Sequence, residues 1–286
     1  MVRVTSMIQA ALMSLAALVS LGGCGSSTGS AILLAGTTST YDSGLLDRLT
    51  HAFEQAYPNY RLKVVAVGSG EALELGRRKD VDVLLVHSPG AEASFLEGGF
   101  GFERVTVMSN DFVLVGPGDD PAGAREAASA PEALARIARS ESRFVSRGDS
   151  SGTHQRELEL WRAAGIVPAG PWYRETGQGQ GETLQIADER RAYMLVDEAT
   201  YLTMKDIVSL RVVFRGDPHL LNLYSVIRVV GAAHPEGARV FTRWLTSVRG
   251  RSVIADFGRD RFGRSLFTPF DAGAGTAKPA GRDTGP

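Results

Sequence analysis

The chain has 286 residues, 43% of them hydrophobic, with 31 lysines and arginines against 32 aspartates and glutamates and a formal net charge of −1. That length supports one large or two medium α/β domains with real cores. The near-neutral balance excludes the basic footprint of a nucleic-acid binder, and the single cysteine excludes a disulfide within the chain and a cysteine metal cluster.

In chain order, residues 1–23 read as a signal peptide. Arg3 precedes an apolar run from Ala10 to Val19, too short for a comfortable transmembrane span, and small residues stand at the cleavage point. Leu21-Gly22-Gly23-Cys24 looks like a bacterial lipobox, so Cys24 is the expected lipidation site and residues 24–30 a lipidated cysteine with a Gly/Ser tether. The expected location is the periplasm or the outer face of the cytoplasmic membrane.

Short β-type apolar runs then alternate with helical patterns. The runs predict strands over 32–35, 61–67, 81–86, 112–115, 144–146, 192–196, 211–214 and 224–230. Helices are predicted over 44–57, 72–78, 91–97, 131–140, 153–164, 183–190 and 236–247, each opening near Gly, Ser, Thr, Asp or Pro. Alternation of this kind points to an α/β fold of mixed, largely parallel sheets flanked by helices. The tail, 271–286, has no apolar periodicity and is expected to be disordered.

Ligands of open α/β sheets settle where strands hand over to helix N-termini. Polar clusters lie at such places: Gly36 to Gly44, Gly68 to Glu71, Gly177 to Thr183, and Ser146-Arg147-Gly148-Asp149-Ser150-Ser151-Gly152-Thr153-His154. The last packs a cation, hydroxyls and glycines ahead of a helix whose apolar positions are Leu158, Leu160, Trp161 and Ala164, which is the chemistry of an anion cradle. Asp149, Ser150 or Ser151 could equally be plain helix caps. The Gly177-to-Gly181 run lacks the G-x-G-x-x-G spacing, and Trp172 to Glu175 before it is a poor strand, so no dinucleotide site is expected.

Thr37 to Leu46, Val81 to His87, Asn110 to Pro117 and Val145 to His154 together resemble the tungstate-binding proteins of bacterial ABC importers, over about residues 32–270. The resemblance implies a type II periplasmic binding protein: two α/β lobes joined by crossing strands, with 31–112 plus 223–270 as one lobe and 113–222 as the other. It implies that Thr37, Thr38 and Ser39, with Ser69 beside them, meet an oxyanion from one lobe, and Arg147, Ser151, Gly152 and Thr153 from the other. It implies a monomer without cofactor or catalytic step that hands tungstate to a membrane permease, the lipid anchor being its contact with the membrane. The chain departs from the family pattern at Val196 and Glu198, where a threonine and an arginine are usual, and at Gly36, where a further threonine is common.

Tungstate, molybdate and sulfate are fully deprotonated dianions that need donors only, whereas phosphate keeps a proton and suits a site with an acceptor. Molybdate-, sulfate- and phosphate-binding proteins of the same fold are therefore the alternative readings, with Asp149 deciding for phosphate if it faces the cleft and against it if it caps the helix. A serine hydrolase using Ser150 in Gly148-Asp149-Ser150-Ser151-Gly152 is the competing class, disfavoured because no Asp-then-His pair follows in a suitable place. Arg147-Gly148-Asp149 also spells an adhesion tripeptide, an accident of composition in this position.

Overall fold

The computed structural model describes residues 29–270. The signal peptide at 1–23, Cys24 with nearly all of the tether, and the tail at 271–286 lie outside the described residues.

Strand β1 (Ser30–Thr37) runs into a short helix α1 (Thr38–Asp42), then α2 (Leu45–Ala56) returns to β2 (Tyr60–Val67). The face of α2 that carries Leu45, Leu46, Leu49 and Phe53 is buried, the i, i+4 spacing of an amphipathic helix. Next come α3 (Ser69–Arg77), β3 (Val83–Val86), α4 (Pro89–Glu97) and the long strand β4 (Gly101–Gly116). The remaining elements are α5 (Ala130–Arg139), β5 (Phe144–Ser146), α6 (Gly152–Ala163), β6 (Tyr173–Glu175), α7 (Gln180–Glu189), β7 (Met194–Asp197), α8 (Glu198–Met204), β8 (Arg211–Phe214), β9 (Leu221–Val229), α9 (Pro235–Leu245), α10 (Val248–Asp256), α11 (Arg259–Phe262) and β10 (Thr268–Pro269).

The main sheet has the order β10-β4-β9-β3-β1-β2. Strands β1, β2 and β3 pair in parallel, as do β5 and β6. The mixed α/β class is as expected, and the antiparallel share lies in the central pairings: β9 lies antiparallel to β3 and β4, and β4 pairs antiparallel with β7, β8 and β10. The reason is β4. Its first part pairs with β9 and β10 and its last part with β7 and β8, and the chain comes back along it as β9, so the central pairings are those of a folded-back ribbon rather than of βαβ units.

The cores fall on both faces of each half. Ile32, Leu34, Phe53, Leu85, Val226, Phe241 and Trp244 fill one face of the main sheet, and Ala35, Leu73, Val86, Phe95 and Ile227 the other. Burial on both faces explains why β3 reads as an unbroken apolar run, Val83-Leu84-Leu85-Val86. Further along β4 the alternation continues into a second pair of cores. Phe112 and Leu114 pack with Phe144, Trp161 and Leu195, while Val113 and Val115 pack with Val145, Leu184 and Met194.

Three strand segments escape the sequence pattern for identifiable reasons. In the first part of β4, register shifts between Phe102 and Val105 and between Thr106 and Met108 break the period-two alternation. Strand β6 is only three residues long and mostly exposed, so the reading of Trp172 to Glu175 as a poor strand is corrected by backbone pairing to β5 that leaves no side-chain signature. Strand β10 has two residues.

Candidate oxyanion site

Three strands of this fold deliver their C-terminal ends to helix starts, β1 into α1, β2 into α3 and β5 into α6, and α7 opens beside them. The starts meet in pairs. A Cβ placed on Gly179, just before α7, would lie 3.5 Å from Thr38 Cγ2 on α1. One on Gly68, before α3, would lie 3.3 Å from Asp149 Oδ2 and from Ser151 Cβ, before α6. Helix N-termini present N–H groups without intrahelical acceptors and carry a positive partial charge, so their convergence suits an anion.

Within this cluster the donors sort by whether their protons are already used. Arg147 is 2% exposed; its Nη1 donates to Gln180 Oε1 at 2.8 Å and its Nη2 pairs with Asp149, which leaves Nε without a partner. Thr38 Oγ1 and Gln180 Nε2 are likewise buried without partners among the described residues. Thr153 donates its hydroxyl to Gln180 Oε1 at 2.8 Å. Ser69 Oγ accepts the His87 N–H at 3.2 Å and Ser151 Oγ accepts the His154 N–H at 3.3 Å, so each serine keeps its own proton to give. Gly152 contributes backbone only: a Cβ there would come within 2.4 Å of the His87 carbonyl oxygen, so glycine is what lets the start of α6 seat against the end of β3.

The remaining two predicted residues are tied into a buried network beneath the site. Asp197 accepts five donors: the N–H groups of Ala199 and Thr200 at 2.9 and 3.2 Å, Asn110 Nδ2 at 2.8 Å, Asn222 Nδ2 at 3.0 Å and the Tyr224 hydroxyl at 2.7 Å. Burial pushes its carboxyl up, but five donors suit the carboxylate form. With its proton given to Asp197, Tyr224 can only accept from Ser39 Oγ, 3.1 Å away, so the Ser39 hydroxyl points inward. Thr40 donates to the Thr37 carbonyl at 2.8 Å, and Thr37 Oγ1 is within 3.0 to 3.1 Å of Ser39 and Thr40, so its proton is also spent internally. Of the three hydroxyls at the end of β1, only that of Thr38 is unengaged.

His87 closes the same network: its ring stacks on Tyr224 with centroids 4.7 Å apart, and Nδ1 bonds Asn222 Oδ1 at 2.8 Å. Burial lowers its pKa to about 4, so it is neutral.

Several acceptors of the cluster are already engaged. Asp149 does not cap α6 by itself: Ser151 is the N-cap, while Asp149 accepts the Ser151 N–H at 3.1 Å on one oxygen and Arg147 on the other. Gln180 Oε1 takes two donors, and Asp42 Oδ2 takes the Gly181 N–H at 2.9 Å across the cleft. Gln180 and Asp42 were not singled out from sequence, although both sit inside stretches that were. A glutamine or aspartate in a helix-entry run looks like ordinary capping until the opposite wall is in place.

The departures from the family pattern fit their surroundings in this chain. Glu198 pairs with Arg264 at 2.8 Å, so its charge is balanced, and Val196 is core. At residue 36 a Cβ would fall 2.7 Å from Leu46 Cδ1, so a threonine there would require the Leu46 side chain to shift.

The competing chemistries lack their geometry. Ser150 stands in left-handed backbone, φ 58°, His154 Nδ1 accepts its N–H at 3.1 Å, and among the described residues no base bonds its hydroxyl. Arg147 is buried and cannot serve as an adhesion tripeptide.

Residues 23–249 match the model of the PBP superfamily domain. The chain is 44% identical over 246 residues to the tungstate-binding protein TupA of Peptoclostridium acidaminophilum, covering 83% of this chain and 85% of that one. It is similar in structure to the tungstate ABC transporter protein of Geobacter sulfurreducens, with a TM-score of 0.73, 43% identity and coverage of 79% of this chain and 98% of that one. Tungstate-binding protein TupA from Desulfovibrio alaskensis matches with a TM-score of 0.68 and 38% identity, covering 85% and 99%.

Proposed function

The chain belongs to the PBP superfamily and, within it, to the tungstate-binding solute-binding proteins of ABC transporters, and on that ground we propose that it captures tungstate in the cleft between its two halves and delivers it to a permease. The observation that carries this reading is the sorting of hydrogen bonds. Three of the buried groups without partners, Thr38 Oγ1, Arg147 Nε and Gln180 Nε2, can donate, while both oxygens of Asp149, Gln180 Oε1 and Asp42 Oδ2 are already engaged. A cradle whose spare side-chain groups are mainly donors suits a fully deprotonated tetrahedral dianion, and works against phosphate, which must donate a proton.

In this reading 31–112 plus 223–270 and 113–222 are the two lobes, β4 and β9 cross between them, and the anion bridges them and favours the closed form. Thr38, Arg147, Gln180, Ser69 and Ser151 supply side-chain donors; Ser39, Gly152 and Thr153 supply N–H groups. The working form is a monomer, held at the membrane through lipidated Cys24.

Two tests follow. Thr38→Val should weaken tungstate binding about tenfold, the loss of one hydrogen bond to a charged group, while Ser39→Ala should change it by less than about threefold. Equal losses for the two in calorimetry would overturn the assignment of donors. Cys24→Ser should abolish partitioning into detergent when the full chain is expressed in bacteria; equal partitioning would remove the anchor.

A further inference from the structure

We propose that Asp42 is the release element of the cleft: a carboxylate on the same short helix as Thr38 that reaches the start of α7 and weakens the closed form's hold on its dianion, so that removing its charge tightens binding. The proposal rests on the reading of the cleft as a tungstate site.

Asp42 ends α1, four residues after Thr38. Its Oδ2 accepts the N–H of Gly181, which follows Gln180, the residue that holds Arg147 and Thr153 from the other wall. Opening the cleft must break this contact and return the carboxylate to water. The closed surroundings are mixed. Glu182 on α7 and Asp197 at the start of α8 face Asp42 with the same charge, and Arg147 opposes them. A Cβ on Gly181 would be 3.3 Å from both Asp42 Oδ2 and Met204 Sδ of α8, so the carboxylate and an apolar side chain both approach the same glycine.

The sign follows from that environment. Burial raises the Asp42 pKa to about 6 in the closed form, against an ordinary carboxylate value when the cleft opens to solvent. The closed form therefore takes up a proton: closure is most favourable at low pH, and that advantage is lost as pH rises through about 6. At neutral pH the ionised group opposes closure, and a bound dianion adds to the repulsion. Asparagine in its place keeps an oxygen for the Gly181 N–H and loses the charge.

The test is calorimetric titration of wild type and Asp42→Asn with sodium tungstate at pH 7.5, with stopped-flow measurement of release. Asp42→Asn should bind roughly three- to thirtyfold more tightly, with the gain in a slower off-rate. A purely structural contact predicts equal or weaker binding, and that result would overturn the proposal. A second measurement uses wild type alone: at pH 6, tungstate titrations in two buffers of different ionisation enthalpy should reveal uptake of a fraction of a proton per anion, fading by pH 8. Absence of uptake would overturn the proposal even if the variant failed to fold. If wild type binds no tungstate at all, the tungstate reading itself falls and the proposal with it, whereas binding without uptake removes Asp42 alone.

Discussion

Replacing Arg147 with alanine is expected to weaken tungstate binding by roughly 10- to 150-fold, the loss of a charge-assisted hydrogen bond to a desolvated anion. Arg147 is the only cation among the predicted site residues and is almost wholly buried. Its guanidinium is held on two sides, by Gln180 and by Asp149, which fixes it in place and leaves the Nε–H without a partner of its own. Burial also pulls its pKa down, yet the neighbouring carboxylates keep it charged. Arg147→Lys should recover part of the loss, since the charge returns but the planar fork does not. The melting temperature of Arg147→Ala should stay within a few degrees of wild type, because Asp149 keeps the Ser151 N–H and some access to water. Unchanged affinity in calorimetry would remove Arg147 from the site.

The second large effect is on stability. Asp197→Ala should cost about 3 to 5 kcal/mol of unfolding free energy, measured by urea denaturation with the slope unchanged. The carboxylate is fully buried and holds donors from β4, β9 and the first turn of α8 together, so its loss orphans several polar groups at the point where the chain crosses between the halves. The Ser39 hydroxyl would also lose its fixed direction, because Tyr224 would no longer be committed as an acceptor toward it. A loss under about 1 kcal/mol would mean that the network is incidental to the fold.

The elements with strong apolar periodicity were legible in the sequence, and so was the strand-to-helix turn from Ser146 to His154. Helix α2 announces itself through Leu45, Leu49 and Phe53, and β3 through four apolar residues in a row. Helix α1 does not: Thr38 to Asp42 has no apolar stripe and exists because β1 ends there and Thr37 and Thr40 bond each other. The same limit explains what was missed at the site. Arg147 stood out as a cation among glycines and hydroxyls, whereas Gln180 and Asp42 gain their meaning only from walls that meet across the cleft, 33 and 139 positions away in the chain from Arg147 and Gly181 respectively. Local sequence also could not tell which hydroxyls are spent. Ser39 and Thr38 are neighbours of one chemical kind, and only the buried chain of bonds from Asp197 through Tyr224 turns one of them inward.

The central claim is that the cleft is a donor-only cradle for a deprotonated tetrahedral anion, and calorimetry of residues 31–270 with tungstate, molybdate, sulfate and phosphate in one phosphate-free buffer tests it most directly. Tight binding of tungstate with phosphate silent is the predicted result. Binding of phosphate alone, or silence from all four anions, would contradict it.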